Sequence, residues 1–398
     1  SNPTVLLFTA NDHSEKGPAS NTERLYSYLD RCGRDECFRV RELMEAWFKR
    51  YPASEQAEFV SRVQSNDDTA FMSSFFELYL HETLLRLGYS VEAHPQISPG
   101  RPKRPDFRAV ETGGSDLVVE AILAQDSFEE DAGATALKNM VLDTVEVLAN
   151  PDFSLMLEEK GFPKSPPSGR KLRRALEKWL RTLDADVCLR TVEEGRPREL
   201  PRLKWSHEGW DLTFTAWPRP KESRGRPGRR LVGSRMSGVR WVDSRTPIRN
   251  AIKLKATRYG DVGRPYVVAV NALGNFVDDI DIAEALFGKE EFLVCRDLDC
   301  EPQTTMRRKP DGAWFGPNGP VNTRVSAVLI ATSLGPWNVA SRKPVLYHNP
   351  WAQYPCGGPI TLLAQQVPED GRMVFREGVA SHDLFDLPDS WPYAPVAA

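Results

Sequence analysis

The chain has 398 residues, 40% hydrophobic and 27% charged, with a formal net charge of −3. That length allows a full hydrophobic core and one or two domains. No apolar run reaches the roughly 18 residues a transmembrane helix needs, and the first residues lack the basic and long apolar regions of a secretory signal, so the expectation is no membrane partner and a cytoplasmic location.

The charge is unevenly spread. Residues 164–260 hold 25 Lys/Arg against 10 Asp/Glu, which leaves the rest of the chain acidic. A basic segment in an acidic protein is a candidate footprint for nucleic acid. Six cysteines are scattered. Cys32 and Cys37, like Cys295 and Cys300, share a Cys-x4-Cys spacing, but a zinc site would usually offer tighter pairs or nearby His, so they read as ordinary reduced thiols.

In chain order, residues 1–20 read as irregular. Helical patterns follow from Asn21 (Leu25, Tyr28, Leu29), over Phe38–Tyr51, and over Ser54–Val63. The strongest helix signal is Asp68–Leu87, where Phe71, Phe75, Leu78, Tyr79, Leu84 and Leu85 recur at three- and four-residue steps and enclose Glu77 and Glu82. Tyr89–His94 reads as a strand and Pro95–Pro102 as a loop. His81 and His94 read as packing or hydrogen-bonding residues. Residues 126–165 are expected to be helical, with Leu137, Met140, Val141, Val145 and Leu148 on one face, and Pro163–Ser168 to be a linker. Lys171–Leu183 reads as a basic amphipathic helix, Trp210–Trp217 as a strand, and the Arg-, Pro- and Gly-rich stretch Arg219–Arg230 as a loop. A helix is expected over Arg249–Tyr259. Pro265–Asn271 is a continuous apolar run, the mark of a strand buried on both faces. Glu291–Cys295 and Thr323–Thr332 are later strand candidates, and the tail after Pro368 is expected to be irregular.

The chemistry concentrates at Arg104–Leu123, two β-type runs around Gly113-Gly114. Asp106 begins the first run and Glu120 lies late in the second, each among apolar or β-branched residues. A carboxylate inside an apolar strand is costly unless something compensates it. A divalent cation would compensate two. Mg²⁺ is hard and takes oxygen ligands, and it acidifies water and neutralises charge on a phosphate. The turn decides whether this works. A two-residue Gly-Gly turn would place Asp106 and Glu120 on opposite sheet faces; a three-residue Thr112–Gly114 loop would place them on one.

The order of elements, a helix carrying Glu77, a strand, a strand led by Pro105-Asp106, a strand with Glu120, then a basic helix and a buried strand at 265–271, resembles the PD-(D/E)XK nuclease superfamily. The resemblance covers about residues 68–125 and 245–275. It implies an α/β fold with a restriction-endonuclease-like mixed β-sheet core flanked by helices. It divides the chain into a helical N-terminal cap (1–67), a first core part (68–125), a helical and basic insertion (126–244) and a second core part with a C-terminal extension (245–398). It implies an Mg²⁺- or Mn²⁺-dependent endonuclease hydrolysing phosphodiester bonds, with DNA as the expected substrate. Asp106 and Glu120 would ligate the metal, and Glu77 would bind a second ion or orient its water. The family's lysine, two positions after the acid, is replaced here by Ile122. Lys255, and after it Lys253, are candidates for a migrated lysine, with Gln125 a polar alternative. Arg170, Lys171, Arg174, Arg224, Arg226, Arg229 and Arg230 are the expected nucleic-acid contacts, since Arg and Trp suit phosphate contact and base stacking. Cutting both strands of a duplex would favour a homodimer. The missing lysine also leaves open a catalytically inactive nuclease fold that binds nucleic acid or a protein partner. Tyr347-His-Asn-Pro-Trp351 is distinctive and carries no physical account at this level.

Overall fold

The computed structural model describes residues 5–9, 13, 24–97, 99–125, 137–138, 141–142, 144–145, 148, 150–161, 163, 165, 167–225, 232–237, 244–273, 277–295 and 303–394. Helices α1 (Leu25–Arg31), α2 (Asp35–Arg50) and α3 (Gln56–Val63) lead to α4 (Asp68–Arg86). Asp67 caps α4 by accepting from the amides of Thr69 (2.9 Å) and Ala70 (3.2 Å), two of the orphan donors of a helix start. Fourteen of its residues are buried, polar Glu77, His81 and Glu82 among them, because α1–α3 cover one side and the sheet the other. Such enclosure leaves little amphipathic contrast.

An antiparallel meander follows: β1 (Ser90–Ala93), β2 (Phe107–Val110) and β3 (Asp116–Ala124). The chain then leaves the sheet. Helical backbone recurs at 137–138, 141–142 and 144–145, as expected, but the expected helix does not run to 165. Phe153–Gly161 is strand β4, where Phe153, Leu155 and Leu157 are buried and alternate with part-exposed residues. The two-residue period lies directly after a helical stretch of similar composition, and it is the pairing of β4 with β6 that decides the conformation. With β5 (Arg202–His207), β6 (Trp210–Pro218) and β7 (Val232–Ser237) it forms a four-stranded sheet of order β5-β6-β4-β7. Helices α5 (Gly169–Leu180) and α6 (Ala185–Glu193) belong to this unit. It has its own core, centred on Leu155, Leu157, Leu172, Leu176, Trp210 and Phe214.

The chain returns through α7 (Arg245–Ala256) to β8 (Tyr266–Ala272), which pairs in parallel with β3. All seven β8 residues are buried, which accounts for the unbroken apolar run. Helix α8 (Asp279–Phe287) and the two-stranded pairs β9 (Glu290–Cys295)/β10 (Gln303–Arg308) and β11 (Phe315–Gly316)/β12 (Gly319–Pro320) follow. Strands β13 (Ala327–Thr332), β14 (Val345–His348), β15 (Ala364–Glu369) and β16 (Arg372–Arg376) complete a mixed eight-stranded sheet of order β1-β2-β3-β8-β13-β14-β15-β16. The tail after Pro368 is therefore regular at its start, where an irregular chain was expected. Glu369 pairs with Arg372 across Asp370-Gly371, both at positive φ (48° and 77°), the conformation a two-residue hairpin needs.

Apolar side chains on the two faces of this sheet pack into separate cores. Phe107, Val119 and Val267 join Phe71, Phe75 and Phe76 of α4. Val118, Val268 and Val270 join Ile248 and Ile252 of α7, with Tyr259 and Trp314. No helix among the described residues is long and apolar enough to cross a membrane.

Candidate active site

The β2–β3 loop has the odd length that a shared site requires. Glu111 N donates to Ser115 O (2.8 Å), which leaves Thr112, Gly113 and Gly114 as a three-residue loop. Both glycines adopt positive φ (120° and 102°), which L side chains rarely take up. The register Phe107 opposite Val119 then carries Asp106 opposite Glu120, with both side chains on one face. Two local bonds lock the pair. Asp106 N donates to Glu120 Oε2 (3.2 Å), and Ala121 N donates to Asp106 Oδ2 (2.6 Å).

Helix α7 closes over the pair because its apolar face, Ile248, Ile252 and Ala256, packs on this side of the sheet. Ile122, two residues after Glu120 and therefore on the same face, packs against that core. Lys255 projects from the last turn of α7 and ion-pairs Glu120 Oε1. So the helix seated against Ile122 brings in a lysine where the strand itself supplies none. Tyr266 OH donates to Lys255 O (2.9 Å) and holds the end of α7 in place. Lys253, two residues earlier, is exposed and lies about 200° round the helix from Lys255; it does not join the site.

Tyr259 completes the site, and it was absent from the sequence expectations. Its hydroxyl lies 2.7 Å from Glu120 Oε2 and 3.1 Å from Arg104 O. One proton cannot serve both equally, and the shorter bond goes to the carboxylate. Burial, then the negative charge of Glu120, pushes the phenol well above its ordinary range, so it stays a donor. The expected helix over Arg249–Tyr259 runs instead from Arg245 to Ala256, so Tyr259 lies three residues beyond its end and no helical period pointed to it.

Asp106 is held against its own ionisation. Burial first, then the charges of Glu120 and Glu77, raise its carboxyl from 3.8 to about 8, and Lys255 opposes them only in part. Near neutral pH Asp106 therefore keeps its proton. Carboxyl groups at two facing strand positions are the hard oxygen donors that Mg²⁺ or Mn²⁺ takes, and a cation there would displace the proton of Asp106.

Glu77 sits otherwise than expected. Arg62 of α3 takes both its oxygens, at 2.9 and 2.7 Å, and Glu77 contributes to Asp106 only through its field. Among the described residues, no three His, Cys, Asp or Glu side chains gather as a metal-binding group. Any metal held by protein carboxylates here would rest on Asp106 and Glu120. His81 packs edge-on to Tyr51 (5.0 Å) and is lowered to about 4 by burial, and His94 Nε2 lies 3.5 Å from Glu55.

The expected nucleic-acid contacts divide. Arg170, Lys171 and Arg174 are exposed on α5. Arg224 instead binds Asp186 Oδ1 (2.8 Å) and Arg219 O (3.0 Å). Arg226, Arg229 and Arg230 lie outside the described residues. No known protein family, curated protein or solved structure matches the chain.

Proposed function

We propose that this protein is an Mg²⁺- or Mn²⁺-dependent phosphodiester hydrolase acting on nucleic acid, DNA being the favoured substrate. One observation carries the reading: Asp106 and Glu120 face each other across a hairpin, and Lys255 reaches the same carboxylate from a helix 135 positions later. The order of α4, the β1–β3 meander, α7 and β8 supports it, since it is the order on which the nuclease resemblance rests.

Asp106 and Glu120 would hold the cation, and Asp106 would release its proton as the cation enters. Bound there, the ion would acidify water and neutralise charge on the scissile phosphate. Lys255 places an ammonium beside Glu120, where it can orient the attacking water and offset negative charge developing on the phosphoryl oxygens. Tyr259 fixes Oε2 of Glu120, so that the carboxylate keeps one orientation while Lys255 holds Oε1.

The test is incubation of plasmid, linear and single-stranded DNA with Mg²⁺ or Mn²⁺, using Asp106→Ala as control. Metal-dependent cutting that the variant loses supports the reading. The inactive-binder alternative takes its support from the Lys255–Glu120 ion pair, which satisfies the carboxylate without metal. DNA binding with no cutting under any of these conditions would favour it.

A further inference from the structure

The loop that delivers Asp106 is itself basic. Residues 99–105 read Pro-Gly-Arg101-Pro-Lys103-Arg104-Pro, and Arg101, Lys103 and Arg104 are all exposed. Prolines between the charges restrict the backbone. Tyr259 ties both ends of the loop to the site. Its carbonyl accepts from Arg101 Nη1 (2.8 Å), and its hydroxyl reaches Arg104 O as well as Glu120. The fit is close at Gly260, which has φ +69°, and a Cβ there would sit 2.7 Å from Arg101 Nη1. Across the pair, Arg258 Nε lies 3.9 Å from Glu120 Oε1 and its side chain is 39% exposed.

These charges are available in a way that much of the basic insertion is not. Among the described residues, none of Arg101, Lys103 and Arg104 has a carboxylate in salt-bridge contact. In the insertion, Arg173 pairs with Glu177, Arg196 with Glu194 and Glu199, and Arg224 and Lys221 with Asp186. At the start of α7, Arg245 and Arg249 are held by Asp311.

We infer that Arg101, Lys103 and Arg104, with Arg258 beside Glu120, form a basic lip that holds the phosphate backbone of a nucleic-acid strand beside the carboxylate pair. The inference rests on the hydrolase reading only for the identity of the group placed between Asp106 and Glu120. A polyanion at this lip neutralises positive charges otherwise left to solvent, and release of its counterions makes the affinity fall steeply with salt.

Fluorescence anisotropy of a labelled oligonucleotide in EDTA, read against salt concentration, tests the lip without turnover. Lys103→Ala/Arg104→Ala is expected to weaken binding at least tenfold and to reduce the slope of log K against log[salt] by about 1.5, for two lost phosphate contacts. Lys103→Arg/Arg104→Lys is expected to restore both, which separates charge from folding. Arg170→Ala/Lys171→Ala/Arg174→Ala is expected to change the slope less. An unchanged slope in the lip variant, a larger loss in the α5 variant, absence of binding by the wild type, or equal competition by polyglutamate would each overturn the inference. Hydrolysis of bis(4-nitrophenyl) phosphate by the wild type with Mn²⁺ tests the hydrolase separately. Its failure would remove that reading and leave the measured behaviour of the lip intact.

Discussion

Asp106→Asn should stabilise the metal-free protein, and increasingly so as the pH rises. Asp106 binds its proton more tightly folded than unfolded, because its carboxyl rises from 3.8 to about 8. The native state therefore carries more protons than the unfolded state between those values. The slope of unfolding free energy with pH is negative there, so this group's contribution to stability is lost as pH rises and the loss is complete near pH 8. Each pH unit inside the window costs about 1.4 kcal/mol, or about 3 kcal/mol between pH 5 and pH 7. Asparagine resembles the protonated acid. Its oxygen can still accept from Ala121 N, and it has nothing to ionise against Glu120. Urea unfolding in EDTA at pH 5, 6 and 7, followed by tryptophan fluorescence, should show the variant gaining about 3 kcal/mol on the wild type across that range. Saturating Mg²⁺ should flatten the wild-type dependence, because the cation takes the proton's place. Parallel pH profiles for the two proteins in EDTA would refute the raised carboxyl of Asp106.

Further expectations concern the lysine and the core. Lys255→Met should lower metal-dependent cleavage about 100-fold or more while the protein still binds metal, as isothermal titration would register. Adding Ile122→Lys to Lys255→Ala should recover part of the lost rate, since position 122 faces the same side of β3 as Glu120; no recovery in a folded double variant would count against the migrated lysine. Tyr259→Phe should cost about 1–3 kcal/mol of stability through the lost hydrogen bond to the Glu120 carboxylate, whose Oε2 keeps only the longer bond from Asp106 N, measured by denaturant unfolding. Glu82, 1% exposed, holds Arg50 and Arg86 at 2.6 and 2.9 Å, so Glu82→Ala should lower stability by about 2–4 kcal/mol without altering metal affinity.

The difference between Lys255 and Glu77 shows where sequence reading works at this site. Both are charged residues on helices whose apolar faces pack near the hairpin. Lys255 lies at the end of α7, directly before the strand that pairs with β3, so its nearness to Glu120 follows from a short connection. Glu77 lies on a helix enclosed on several sides, and Arg62, fifteen residues earlier, took its carboxylate. No periodicity within α4 encodes which neighbour turns a cation toward it.

By itself, the chain's sequence determined the features that depend on neighbours a few residues away. These include the apolar run of β8, the helix over Asp68–Arg86, and the two β-type runs around Gly113-Gly114, whose loop length of two or three residues stayed open until the structure set it at three. They follow from side-chain period and turn conformation, which act within a few residues. Tertiary structure alone decided that residues 153–161 extend rather than coil, that Tyr259 ties Glu120 to the basic loop, and that Arg62 takes the carboxylate of Glu77. Each depends on which surfaces meet once the cores close, because a side chain's partner is chosen by packing in space, and the chain between partners can be any length.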